Sequence, residues 1–93
     1  MNPKISIVTI AYNCEKEIEE TILSVINQQY DNKEYLIIDG ASKDGTMDIV
    51  DKYRDKIDVI ISEPDKGRSD AFNKGIAHAT GDYIVMMNAG DLL

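Results

Sequence analysis

Four short apolar blocks along this chain are separated by three stretches in which apolar residues recur at helical spacing. The first block, residues 4–11, is β-branched and almost continuously apolar, which suits a strand covered on both faces, as in a parallel sheet. Over residues 15–29, Ile18, Ile22, Val25 and Ile26 form one stripe with Glu15, Glu19, Glu20 and Asn27 off it. That spacing predicts a helix, with Asn13 or Cys14 flanking its N-terminus, where an Asn side chain caps free N–H groups. After the turn Asp31-Asn32-Lys33, the run Tyr35-Leu36-Ile37-Ile38 predicts a second strand, stopped by Asp39-Gly40. Gly40 to Thr46 has loop composition, with Asp44 or Thr46 as cap of a short helix containing Met47, Val50 and Tyr53. Asp58-Val59-Ile60-Ile61-Ser62 predicts the third strand, closed by the turn formers Glu63-Pro64-Asp65-Lys66-Gly67. A helix then opens at Ser69 or Asp70 and runs to Ala79, with Phe72, Ile76 and Ala79 on one face and Ala71 and Gly75 beside them. Thr80-Gly81-Asp82 ends it, and Tyr83-Ile84-Val85-Met86-Met87 predicts a last strand running into Asn88-Ala89-Gly90-Asp91.

The order β-α-β-α-β-α-β predicts an α/β fold: a parallel β-sheet with right-handed crossovers and helices packed on the sheet. At 93 residues the expectation is one domain, residues 1–93. Ligands bind outside the carboxyl ends of the strands in such sheets. That rule sends Tyr12-Asn13, Asp39-Gly40, Glu63 to Gly67 and Asn88 to Asp91 to a single edge.

Composition narrows the function classes. With 43% apolar and 29% charged residues the chain has an ordinary globular balance. The net charge of −7 argues against a nucleic-acid partner, because phosphate neutralisation needs clustered Lys and Arg in excess. No apolar run approaches the roughly 20 residues of a membrane span, and the start lacks a signal-peptide pattern, so a cytoplasmic location is expected. One cysteine and one histidine supply neither a disulfide nor a Cys/His zinc site, and Cys14 reads as a reduced bystander. Neither G-x-G-x-x-G nor G-x-x-x-x-G-K-[ST] is present, which removes the phosphate cradles of dinucleotide-binding and P-loop domains.

The polar residues at strand ends are the candidates for chemistry. Asp39 reads either as a turn former or as a carboxylate accepting hydrogen bonds from a nucleobase or ribose. Tyr12 reads as packing or as a ring on which a base stacks. Gly67, between Lys66 and Arg68, begins a helix whose free N–H groups suit a phosphate, or forms a turn among solvated charges. Asp70, in the first turn of that helix, is placed to face the same pocket. Asp91 is a turn residue or a hard oxygen ligand for Mg²⁺ or Mn²⁺, with diphosphate and water completing the octahedron.

Five stretches together resemble the family-two glycosyltransferases with the A-type, nucleotide-diphospho-sugar transferase fold. They are Ser6 to Asn13, Ile37 to Thr46, Glu63 to Gly67, Asp70 to Gly75, and Ala79 to Asp91. The resemblance covers essentially the whole chain, in order. It implies a Rossmann-like sheet ordered 3-2-1-4, of which residues 1–93 form the nucleotide-sugar-binding half. By that resemblance, Ile10, Ala11 and Tyr12 contact the base, Asp39 accepts hydrogen bonds from uracil or ribose, and Asp91 binds Mn²⁺ or Mg²⁺ on the diphosphate. Lys66, Gly67 and Asp70 match a stretch that lines the donor pocket of similar proteins. The implied function is inverting transfer of a sugar, from a UDP-sugar donor to a saccharide or lipid-linked acceptor, in polysaccharide biosynthesis. The alternative is a non-catalytic nucleotide-binding or interaction module of the same fold.

Two positions depart from the family pattern. Gly90 stands where an acidic partner for Asp91 is common, and Arg68 stands where similar sequences have an apolar residue, within reach of phosphates. Similar sequences also continue past the metal motif into acceptor-binding segments, so the general base is expected beyond residue 93. An uncovered sheet edge beside the last strand motivates an expected homodimer.

Overall fold

The computed structural model describes residues 3–93. Its elements follow in the order β1 (Ile5–Ala11), α1 (Ile18–Ile26), β2 (Lys33–Asp39), α2 (Thr46–Lys52), a short 3-10 turn (Arg54–Lys56), β3 (Val59–Ser62), α3 (Arg68–His78) and β4 (Tyr83–Asn88). The strands form one parallel sheet in the order β3-β2-β1-β4, as expected.

Alternation along the strands divides the core in two. Ile7 and Ala11 of β1 face one side with Tyr35 and Ile37 of β2, under Ile18, Ile22 and Val25 of α1 and Val50 of α2. Val8, Ile10, Leu36 and Ile38 face the other side, under Ala71 of α3. The central strands are therefore buried on both faces, which is why β1 and β2 read as continuous apolar runs. The polar members are satisfied internally: Thr9 Oγ1 and Tyr35 Oη lie 2.9 Å apart in a hydrogen bond. Burial then pushes the Tyr35 phenol up to about 12.

Several local expectations are corrected. Helix α1 begins at Ile18, because Asn13 adopts a left-handed φ of 48° and residues 14–17 make a turn instead, with Ile18 N–H bonded to Cys14 O. Neither Asn13 nor Cys14 caps it; the Asn13 amide oxygen accepts from Lys43 N–H in the next loop. Strand β2 starts at Lys33, two residues early, because β1 supplies a full-length parallel neighbour from Ile5↔Lys33 onward. Helix α3 starts at Arg68, and the residues it buries are Ala71 and Gly75 rather than Ile76, which is 48% exposed. Close approach decides this: a Cβ on Gly75 would lie 2.5 Å from Val8 Cγ1, so the smallest side chains face the sheet. No helix of the described residues is long and apolar enough to cross a membrane.

Candidate functional site: a cavity at the carboxyl edge of the sheet

The register aligns the four strand ends. Ala11 pairs with Asp39, Asp39 with Ser62, and Ile10 with Asn88, so the loops that follow rise from one edge. Between them opens a cavity of about 780 Å³, within the range of small-molecule sites. Ile10, Ala11, Tyr12 and Cys14 line it from β1 and its loop, and Gly40, Ala41 and Lys43 from the loop after β2. Pro64, Asp65, Gly67, Arg68 and Ala71 close the α3 side, and Asn88 and Ala89 the β4 side.

Of the residues singled out in the sequence, Ile10, Ala11, Tyr12 and Gly67 form the wall. Tyr12 presents its ring with 60% of the residue exposed. Gly67 has φ 116°, a conformation open to glycine, and hands the chain into α3. Asp39, Lys66, Asp70 and Asp91 are not among the lining residues.

Asp39 lies beneath the floor, fully buried. Its Oδ2 accepts from Ser42 N–H at 2.9 Å and from Ser62 Oγ at 2.8 Å, and its Oδ1 accepts from Ser42 Oγ at 2.5 Å. Ser42 Oγ in turn accepts Asn13 N–H at 2.8 Å, so one buried carboxylate braces the loops after β1, β2 and β3. Ala41 sits between the bracing groups with φ 65°, a strained value for a residue with a Cβ, on the cavity surface. Asp44 ties the same loop to the turn before α1 and to the start of α2, accepting from Glu15 N–H and from Thr46. The Thr46 hydroxyl bond holds the Asp44 carboxyl below its usual range. Burial pushes the Cys14 thiol up, against the opposing Thr46 contact, which keeps it protonated at neutral pH.

Asp70 supports the turn before α3, its Oδ2 accepting Lys66 N–H at 2.9 Å. Lys74 Nζ donates to Pro64 O at 2.9 Å and lies 3.3 Å from Glu63 Oε1, fastening the same turn. Asp91 folds back on its own loop: Oδ2 accepts Asn88 N–H at 2.8 Å, while Oδ1 has no protein partner among the described residues. Thr21 of α1 holds that loop from below, accepting Gly90 N–H at 2.8 Å and donating to Asp91 O at 2.9 Å. Thr21 escaped the sequence reading, although a hydroxyl inside the apolar stripe of Ile18, Ile22 and Val25 was its visible signal.

The electrostatics suit an anion despite the acidic chain. Lys43 and Arg68 line the cavity, and neither has an ion pair among the described residues. For a divalent cation, the described residues hold no group of three or more His, Cys, Asp or Glu side chains, so the protein offers the single Asp91 carboxylate. A hard cation fits there when phosphate oxygens and water supply the remaining ligands.

The model of the family described as Glycosyl transferase family 2 matches residues 6–93. The chain belongs to glycosyl transferase family 2. EpsE of Bacillus subtilis (strain 168), named as a glycosyltransferase, is 38% identical to this family 2 chain over 94 residues, 97% of this chain and 34% of EpsE. The chain spans about a third of the length of the curated relatives it matches. Among solved structures, S. aureus TarS 1-349 in complex with UDP-GlcNAc superposes with a TM-score of 0.86 at 28% identity, over 96% of this chain and 27% of that one. The mannosyltransferase PcManGT of Pyrobaculum calidifontis, in complex with GDP-Man and Mn²⁺, gives a TM-score of 0.89 at 26% identity, over 99% of this chain and 29% of that one. The family 2 resemblance read from the five sequence stretches is thereby established, together with its sheet order.

Proposed function

We propose that residues 1–93 are the donor-binding part of a family 2 glycosyltransferase, which passes a sugar from a nucleotide-diphosphate donor, a UDP-sugar, to an acceptor hydroxyl with inversion. The observation that carries this is the strand-end cavity, where an exposed Tyr12 ring, two cations with no ion pair among the described residues and the Asp91 loop surround one space. Support comes from TarS, solved with UDP-GlcNAc, and PcManGT, solved with GDP-Man and Mn²⁺. Those two donors differ in their base, so the base is selected by residues rather than by the fold.

In the proposed reaction the acceptor oxygen bonds to the anomeric carbon from the face opposite the nucleotide. The bond from that carbon to the diphosphate oxygen breaks, its electron pair leaves with the nucleoside diphosphate, and the acceptor proton passes to a base expected outside residues 1–93. The residues of this chain bind and orient the donor. Ile10, Ala11 and Tyr12 form the wall for the base, while Lys43 and Arg68 offset the diphosphate charge beside Gly67. Asp91 would hold Mn²⁺ or Mg²⁺, which when bound neutralises charge on the leaving diphosphate.

Calorimetry with UDP, with and without Mn²⁺, tests both parts of the proposal. Wild type is expected to bind UDP more tightly with Mn²⁺ present, and Asp91→Ala to lose that gain while keeping metal-free binding. Metal-dependent binding unchanged in Asp91→Ala would remove the role of Asp91. The same proposal includes a cytoplasmic location and self-association through the edge of β4, where Tyr83, Ile84 and Met86 are exposed. A monomer mass in light scattering rules out the self-association.

A further inference from the structure

Among the described residues the cavity wall holds a single carboxylate. Asp65 sits in the turn between β3 and α3 and faces the cavity. Its Oδ1 accepts Gly67 N–H at 3.0 Å, and its Oδ2 has no hydrogen-bond partner among the described residues. That second oxygen lies over Gly40. A methyl group on Gly40 would stand 2.9 Å from Asp65 Oδ2 and 3.3 Å from Tyr12 Cδ1. The absent side chain at position 40 makes the space in which an acidic oxygen and an aromatic ring converge. The turn carrying Asp65 is fixed by the bonds from Lys66 N–H to Asp70 and from Lys74 Nζ to Pro64 O, so the oxygen is held rather than free to swing.

Asp39, by contrast, has both oxygens engaged by Ser42 and Ser62 and no exposed surface. The one acceptor site left, on Oδ1, is buried with the rest of the side chain, so a ligand reaches it only if the brace under three loops moves.

We propose that Asp65, rather than Asp39, reads the nucleobase of the donor, its Oδ2 accepting a ring N–H from a base packed against Tyr12. A phosphate is excluded from that spot by like charge. With Oδ1 already accepting Gly67 N–H, Oδ2 is the wholly open oxygen, which suits a base offering one N–H between two carbonyls: uracil. Cytosine presents an unprotonated ring nitrogen at the same place, so two lone pairs would face each other. Guanine offers two adjacent N–H donors, the second of which would have to share Oδ1 with Gly67 N–H. Asp65 is thereby a specificity residue for uridine donors, an inference that rests on the donor-binding function proposed above.

The test is calorimetry of UDP and CDP, each with Mn²⁺, on the chain, on Asp65→Asn and on Gly40→Ala, with circular dichroism to confirm that each variant is folded. Wild type is expected to prefer UDP over CDP by about tenfold or more, the scale of one hydrogen bond to a charged group. In Asp65→Asn the Gly67 N–H orients the amide oxygen inward, leaving an N–H₂ donor over Gly40, so the UDP-to-CDP preference falls about tenfold or reverses. Gly40→Ala displaces the carboxylate without changing it and should erode the preference in the same direction, which decides the matter if Asp65→Asn does not fold. A preference unchanged in the folded variants overturns the assignment while the donor-binding function stands. Equal weakening of UDP and CDP also overturns it, placing Asp65 on the ribose. Wild type binding neither nucleotide overturns the donor-binding function and this assignment together.

Discussion

The two ends of the sheet each bury one braced carboxylate, and they differ in the polar groups around it. At the amino end, Glu34 is 8% exposed and accepts from Ser6 Oγ at 2.5 Å, from Thr80 N–H at 2.5 Å and from the Thr80 hydroxyl, with Lys4 Nζ 3.7 Å away. Ser6 Oγ accepts Gly81 N–H at 2.8 Å, and Asp82 accepts Lys4 N–H at 2.9 Å, so the turn into β4 is locked against β1 and β2. Among the described residues, no buried side-chain polar atom of that cluster lacks a partner. At the carboxyl end, Asp39 plays the same closed role beneath the floor, but above it Asp65 Oδ2, Asp91 Oδ1 and the side-chain cations of Lys43 and Arg68 are left without protein partners among the described residues. One end spends its polar groups on stability; the other keeps some for a ligand.

Two glycines make the contrast testable. A Cβ on Gly81, at the amino end, would lie 2.8 Å from Ser6 N and 2.9 Å from Lys4 O, backbone atoms that cannot yield without opening the sheet. Gly81→Ala is expected to lower stability by about 2–3 kcal/mol, the upper range of overpacking, and to depress Tm by roughly 10 °C or more in a domain this small. The same change at Gly40 meets side chains that can yield, the end of Asp65 at 2.9 Å and the exposed Tyr12 ring at 3.3 Å, so stability should stay within about 0.5 kcal/mol of wild type while base preference suffers. Urea denaturation of the two variants side by side measures the difference; comparable losses would erase the distinction between the ends.

A smaller effect follows from Glu34. Burial alone would raise its carboxyl, but the hydrogen bonds from Ser6 and Thr80, with the Lys4 charge, outweigh that and hold it below the ordinary value of 4.5. A carboxyl depressed by folding contributes stability that is fully present above its unfolded value and is lost as pH falls through the folded one. Stability should therefore be insensitive to this group from neutrality down to about pH 5, and decline below that. Glu34→Gln should cost about 1–2 kcal/mol at neutral pH, from imperfect replacement of a charged acceptor, and should flatten the acid decline. Thermal melts from pH 7 to pH 3 check both, and an acid decline as steep in Glu34→Gln as in wild type would assign it to other carboxyls.

The strand pattern and element order were legible because both-face burial leaves continuous apolar runs such as Tyr35 to Ile38, and periodicity is local. Strand ends were legible for the same reason, and with them the edge on which the cavity forms. Boundaries that depend on backbone conformation, such as the delayed start of α1 behind a left-handed Asn13, left no mark in the spacing.

The amino-acid order by itself thus determined the architecture, the family and the set of polar residues delivered to the edge. Only the tertiary structure decided which acid is buried as a brace and which faces the cavity. Asp39, Asp65 and Asp91 carry the same carboxylate, and their roles differ by partners remote in sequence or across a turn: Ser62 for Asp39, 23 positions away, Gly67 and the gap over Gly40 for Asp65, and Thr21, 70 positions away, beneath the Asp91 loop. Periodicity records which face of an element is apolar; what a polar group does depends on the hydrogen bonds still open to it once distant segments have met.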